Sequence, residues 1–265
     1  MSASESTPER VALVTGAGEG IGRACAERFA SLGLAVAVVA HGLDSAAATV
    51  ASITAAGGVA EPFAAELADP DSVADLFEQV ARRFERLDVV VANAGINGVW
   101  APLSELTYDE WTRTISVNLT GTFLTVKHAL PLLRAAGGGA VVVTSSVNGT
   151  RMFSNAGASA YATSKAGQVA FAKMAAVELA RDHIRVNVVC PGAIETAIDD
   201  NTEQRNTDGL TLPVEYPEGQ IPLTGKTPGS AAQVADLVCF LASDAASHIT
   251  GTEVWIDGAQ SLLAG

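Results

Sequence analysis

Tyr161 and Lys165 stand four residues apart in Tyr161-Ala162-Thr163-Ser164-Lys165. On a helix that spacing puts them one turn apart on the same face. A phenol has a reference pKa of about 10 and is a weak base at neutral pH. An ammonium beside it favours the phenolate, so such a pair can exchange a proton with a substrate near neutrality. Taken alone, the spacing also describes an ordinary surface pair, and the catalytic reading depends on what else the chain brings to it.

The elements that would position the pair alternate along the chain. Short apolar, β-branched runs at 11–14, 35–40, 59–64, 88–92, 140–145, 185–190 and 253–256 read as seven strands. Between them lie segments of helical pattern at about 20–32, 44–56, 70–86, 109–133, 159–181 and 230–242. Asp69 is the expected N-cap of the third helix, with Pro70 in its first turn and Val73, Leu76, Phe77, Val80 and Phe84 on one face. Asp44 or Ser45 is the expected cap of the second, and Gly57-Gly58 its stop. Strands apolar on both faces, alternating with helices, argue for a parallel sheet covered on both sides. The expected architecture is α/β: a single doubly wound, Rossmann-like domain over 10–265, with a mainly parallel seven-stranded sheet and a short frayed tail at 1–9.

Thr15-Gly16-Ala17-Gly18-Glu19-Gly20-Ile21-Gly22 follows the first strand directly and opens the first helix. Glycines there permit a tight turn and close backbone approach to a pyrophosphate, which the free N–H groups and positive end of the helix would hold. Gly22 is followed by Arg23-Ala24 rather than Lys-Ser/Thr, so this is not a Walker loop.

These motifs together resemble the short-chain dehydrogenase/reductase family, in its single-domain branch. Gly16, Gly20 and Gly22 fit its TGxxxGxG turn, Asn93-Ala94-Gly95 its NAG segment, Tyr161-xxx-Lys165 its active-site pair, and Pro191 to Thr196 its PGxxxT. The likeness spans about 10–263, with every motif in order. It implies that Tyr161 is the general acid/base and Lys165 its electrostatic partner, which would also hold the nicotinamide ribose. Ser146, in Ser145-Ser146-Val147-Asn148-Gly149, would polarise the substrate oxygen, with Ser145 as a competitor. Asn118, in Ser116-Val117-Asn118-Leu119, would bend its helix and anchor a water in the proton relay. Cofactor contacts are implied for Gly16, Gly18, Glu19, Gly20, Ile21, Gly22, His41, Glu66, Leu67, Asn93, Ala94, Gly95, Pro191, Gly192, Ile194 and Thr196, besides Tyr161 and Lys165. The implied activity is hydride transfer between a nicotinamide dinucleotide and a secondary alcohol or ketone such as a sugar, polyol or steroid.

Two features depart from the family pattern. Ser146 and Tyr161 are two residues further apart than is usual, which lengthens the loop at 150–158 and makes Met152, Phe153 and Asn155 candidate pocket contacts. The second strand ends at Ala40, followed by His41-Gly42, with no acid to bind the adenosine ribose. That absence admits NADP. Glu19, where NADP-dependent relatives often carry a cation, opposes a 2′-phosphate, and Asp44 is a further candidate for the ribose. NAD is the expected cofactor and NADP the alternative.

The chain carries 16 basic and 29 acidic residues, a net charge of −13, with no basic tract. Nucleic acid and anionic membrane surfaces are therefore excluded as expected partners. Cys25, Cys190 and Cys239 are widely spaced and His41, His128, His183 and His248 are scattered, so neither a disulfide framework nor a metal site is expected. No signal peptide or apolar run of membrane length is evident, which points to the cytoplasm. The acidic stretch at 197–228, with Asp199, Asp200, Glu203, Asp208, Glu215 and Glu218, is the expected substrate lid, and Trp100 a second pocket candidate. The resemblance also implies a homotetramer. The wide tyrosine–lysine spacing of enoyl reductases disfavours that chemistry. A non-catalytic dinucleotide sensor, whose mark would be a broken catalytic set, is the alternative from another class.

Overall fold

Strand β1 (Val11–Thr15) is buried at every position, as a strand covered on both faces must be. Its side chains alternate between two cores, Val11 and Leu13 in one, Ala12 and Val14 in the other. The computed structural model describes residues 10–196, 202–210 and 215–263. Residues 1–9, and Asp199 and Asp200 of the expected lid, lie outside the described residues.

From β1 the chain runs through α1 (Gly20–Ser31), β2 (Ala35–Ala40), α2 (Leu43–Ala55), β3 (Ala60–Ala64), α3 (Pro70–Phe84) and β4 (Val89–Ala92). A short β5 (Gly98–Trp100) precedes α4 (Tyr108–Ile115), a π-helical turn at Ser116–Thr120, and α5 (Gly121–Ala135). Then come β6 (Gly139–Thr144), α6 (Ser159–Leu179) and β7 (Ile184–Pro191). Three short strands, β8 (Ile194–Glu195), β9 (Thr202–Gln204) and β10 (Gly229–Ser230), lead to α7 (Ala231–Ala242), β11 (Glu253–Ile256) and α8 (Gln260–Leu263).

The seven long strands form one sheet in the order β11-β7-β6-β4-β1-β2-β3, and every neighbouring pair is parallel. After β3 the chain crosses back to place β4 on the other side of β1. That reversal opens a crevice at the carboxyl ends of β1 and β4, where doubly wound sheets bind ligands. Pro62 sits in β3, the edge strand, where a missing N–H is tolerated.

Local chemistry explains most of the boundaries. The Asp69 side chain accepts from the Asp71 N–H, and Pro70 opens α3, as expected. The start of α2 differs from expectation. Its cap is Gly42, with no side-chain cap, and Asp44 and Ser45 already lie inside the helix. Instead the Ser45 hydroxyl donates to the Gly42 carbonyl at 2.9 Å. The helical stretch expected at 109–133 is interrupted by the π turn at Ser116–Thr120, which contains Asn118. In the part of 197–228 that is described, β9 pairs with β5 and β10 with β8, both parallel.

Candidate active site

The crevice at the end of β1 opens into a cavity of about 560 Å³. One side is the glycine turn. Gly16 and Gly20 have positive φ, +65° and +54°, which side chains with a Cβ rarely adopt. Gly22 packs directly beneath the turn, where a Cβ would overlap the Gly16 carbonyl. Glu19 caps α1 with extended backbone and makes no side-chain cap bond, so the first N–H groups of α1 have no acceptor within their helix. The Thr15 hydroxyl accepts from the N–H groups of Asn93 (3.0 Å) and Ala94 (3.1 Å), and the Asn93 amide donates to the Thr15 carbonyl at 3.1 Å. These bonds tie the end of β4 to the end of β1 and set the width of the crevice.

Gly16, Gly18, Glu19, Gly20, Ile21, His41, Glu66, Leu67, Asn93, Ala94, Gly95, Pro191, Gly192, Ile194 and Thr196 all line this cavity, with Ser146, Tyr161 and Lys165. Gly22 and Asn118 do not. Ala65, Arg113, Val117 and Thr144 line it too and were not singled out from sequence, and so does Ser45, expected only as a helix cap. Each stands on an element whose boundary or facing direction spacing alone left open. Asp44, the candidate for the ribose, is not on the wall; its neighbour Ser45 is, close against Gly18. At the same end, His41 Nδ1 lies 3.5 Å from a Glu66 carboxylate oxygen, and the other Glu66 oxygen accepts from the Ala68 N–H at 3.0 Å.

On α6, Tyr161 and Lys165 are both buried, at 7% and 3% exposure. The Lys165 ammonium donates to the Thr144 carbonyl at 3.0 Å and lies 5.5 Å from the centre of the Tyr161 ring. Burial pulls its pKa down from 10.5 to about 8, with the neighbouring Cys190 opposing that fall. Burial pushes the Cys190 thiol up to about 11 and Cys239 to about 12, and raises Cys25 further. Thiols held protonated in this way are poor nucleophiles.

Hydrogen bonding distinguishes the two serines. The Ser145 hydroxyl is committed, donating to the Lys165 carbonyl at 2.8 Å. Ser146 Oγ accepts from the Asn148 N–H at 3.1 Å, and its own proton has no acceptor among the described residues.

Asn118 is fully buried and clamps Ile96 from both sides. Its Oδ1 accepts from the Ile96 N–H at 2.8 Å, and its Nδ2 donates to the Ile96 carbonyl at 2.9 Å and to Ser164 Oγ at 3.0 Å. Its backbone carbonyl, released by the π turn, accepts from the Thr122 hydroxyl at 2.7 Å and from Gln168 at 2.9 Å. Asn118 thus shapes the wall at 95–96 from behind.

The long loop at 150–158 does not meet the expectation. Met152 is buried, Phe153 points outward at 74% exposure, Asn155 donates to the Asn148 side chain at 3.0 Å, and none of the three lines the cavity. Thr150 and Arg151 dock on β11, through the Trp255 indole N–H at 3.1 Å and its ring face at 3.5 Å, while the Gly157 carbonyl at the other end of the loop accepts from the Ala101 N–H at 3.3 Å. Trp100 does not line the cavity either, but its ring centre lies 6.4 Å from that of Tyr161. Among the described residues, no group of three or more His, Cys, Asp or Glu side chains is placed to hold a metal, and no helix is long and apolar enough to cross a membrane.

A nicotinamide dinucleotide fits these residues. The glycine cradle that a Cβ would fill, the helix end beside it and the length of the lined cavity suit its pyrophosphate and two nucleosides. Comparison with known proteins agrees. A family model described as Enoyl-(Acyl carrier protein) reductase matches residues 16–259. The chain is 40% identical to a cis-4-hydroxycyclohexanecarboxylate dehydrogenase of Sinomonas cyclohexanicum, over 98% of this chain and 99% of that protein. It is 36% identical to a cyclohexanol dehydrogenase of an Acinetobacter species, over 94% of each. The crystal structure of a 3-ketoacyl-ACP reductase from Sinorhizobium meliloti superposes with a TM-score of 0.91 at 47% identity, covering 96% of this chain and 99% of that one. A glycine turn, a buried Tyr–Lys pair and full-length relatives of one kind lead to one conclusion: the chain belongs to the short-chain dehydrogenase/reductase family, as an NAD(P)-dependent oxidoreductase of alcohols and ketones.

Proposed function

We propose that this enzyme interconverts a cyclic secondary alcohol and its ketone using NAD, with Tyr161 carrying the proton. The observation behind this is the meeting of Tyr161, Lys165 and the uncommitted Ser146 proton on one wall of a glycine-lined cavity. The dinucleotide, when bound, supplies the hydride acceptor or donor. Tyr161 takes the hydroxyl proton in oxidation and returns it in reduction. The Lys165 ammonium favours the phenolate, and Ser146 donates to the substrate oxygen where charge builds. Asn118 positions residues 95–96 and Lys165's helix. The α1 N-terminus and its glycines would hold the pyrophosphate, Leu67 and Val117 the adenine side, and His41 and Ser45 the adenosine ribose.

The cyclic alcohol rests on the names of two relatives, a cyclohexanol dehydrogenase and a hydroxycyclohexanecarboxylate dehydrogenase. The family model's description and the solved relative name acyl-carrier reductases, so the decisive panel pairs cyclohexanols and cyclohexanones with a 3-ketoacyl and an enoyl thioester. Turnover confined to a thioester would overturn the cyclic-alcohol reading. NAD is favoured because Glu19 stands in the glycine turn and Glu66 beside His41, while of the two cations lining the cavity, Arg113 and Lys165, the second is held at the Tyr161 end; a lower KM for NADP would reverse that assignment. We also assign a homotetramer and a cytoplasmic setting. The support is exposed apolar Met174 and Val177 on one face of α6, at 72% and 80% exposure, and three free, buried cysteines. Sedimentation as a monomer would refute the tetramer.

A further inference from the structure

We infer that Arg205 is a positioning residue for substrate: it clasps β9 to the start of α4, and so holds β5 and the Trp100 ring as a wall beside Tyr161. This rests on the alcohol dehydrogenase reading above and extends it to a residue no motif marks.

A two-stranded ribbon such as β5–β9 is marginal in water by itself, so something must hold it. Arg205, the residue after β9, meets Glu110 fork to fork, Nη1 to Oε1 at 2.9 Å and Nη2 to Oε2 at 3.0 Å. Paired geometry of that kind is the strongest form of a charged hydrogen bond. Nη2 also donates to the Glu105 carbonyl at 2.9 Å, and the neighbouring Asn206 amide donates to the Glu105 carboxylate at 2.8 Å. Glu110 is at the same time half of the capping box of α4, accepting from the Thr107 N–H at 2.8 Å. One carboxylate therefore both starts the helix and receives the strand. Bonded to Arg205, its pKa is held down to about 2, so it stays charged across any assay range.

The clasp connects directly to the substrate side. The Arg205 N–H donates to the Trp100 carbonyl at 2.9 Å, and Trp100 pairs in register with Gln204. Buried Asn97 donates to Thr202 Oγ1 at 2.7 Å, while its carbonyl accepts from the Trp100 indole N–H at 3.3 Å. Both the backbone and the ring of Trp100 are thus fixed through β9. Without Arg205, the carboxylates of Glu105, Glu110 and Glu203 would face one another unscreened, since all three lie within 4.0 Å of its guanidinium.

The test uses the full-length enzyme and three variants: Arg205→Ala, Arg205→Lys, and Arg205→Ala combined with Glu110→Gln. Gln at 110 keeps the capping box, so that variant removes the ion pair without unravelling α4. Amide hydrogen exchange is read over 98–106 and 202–206, and KM and kcat are measured with a cyclohexanol and NAD. Arg205→Ala should speed exchange in both segments and raise the alcohol KM about tenfold, with kcat and the NAD KM within about twofold of wild type. Arg205→Lys, keeping the charge but not the fork, should restore part of the loss, and Glu110→Gln in an Arg205→Ala background should not deepen it, because the pair is already broken and one of the three unscreened carboxylates is gone. Unchanged exchange would overturn the clasp. Faster exchange with an unmoved alcohol KM, or an equal change in all constants, would overturn the positioning role. A wild type that binds dinucleotide but oxidises no alcohol would defeat the functional reading instead, and exchange would still decide the clasp.

Discussion

Replacing Lys165 by Met should make the protein more stable at neutral pH while removing its activity. The ammonium is 3% exposed, and its pKa falls from 10.5 to about 8 through burial. Each tenfold loss of proton affinity is about 1.4 kcal/mol, so holding the charge in the fold costs about 3 kcal/mol. The sign follows from where each state releases its proton. Below about pH 8 folded and unfolded chains are both protonated and the whole cost is present. Between about pH 8 and 10.5 the folded state has lost its proton and the unfolded chain has not, so the cost shrinks, and above that it is gone. Met fills similar volume without charge but orphans the Thr144 carbonyl, which gives back about 1–2 kcal/mol. The expected net gain is about 1–2 kcal/mol at about pH 7, with the order of stabilities reversed at about pH 10.5. Urea unfolding of both proteins at the two pH values measures it. A variant less stable than wild type at neutral pH, or a difference independent of pH, would refute the account of a costly buried ammonium kept for chemistry.

Two other substitutions separate neighbouring roles. Ser146→Ala should lower kcat on the order of 10²–10³ with the fold intact; measured by steady-state kinetics, a loss under about tenfold would return the role to another donor. Gly22→Ala places a Cβ against the Gly16 carbonyl and should abolish dinucleotide binding in a titration of intrinsic fluorescence, whereas normal binding would show that the turn can yield.

Much of the fold could be read directly because its signals are local. Seven runs of Val, Ala and Ile separated by helix-length segments gave the strands, and Asp69-Pro70 marked the third helix through the cap it does form. Where two adjacent residues could each cap, as at Asp44 and Ser45, the actual start at Leu43 depended on how α2 packs, which spacing does not encode. The same limit separates Ser145 from Ser146. Their order in the chain is silent, and only the carbonyl of Lys165, 20 residues on, claims one of them. Asn118 was found through its motif, but its hold on Ile96 requires a π turn that helical periodicity hides. The extra loop residues looked like pocket residues because they precede Tyr161; the start of their loop docks instead on Trp255, a contact spanning 105 positions. Arg205 and its clasp were illegible for the same reason, since Glu110 lies 95 residues away.

The proton-transfer role of Tyr161 is the centre of the account, and Tyr161→Phe tests it most directly. Phe keeps the ring packed beside Trp100 and removes only the hydroxyl. With a cyclohexanol and NAD, the account predicts a dinucleotide affinity within about tenfold of wild type and a fall in kcat on the order of 10³. Turnover within about tenfold of wild type, under conditions where chemistry limits the rate, would contradict it.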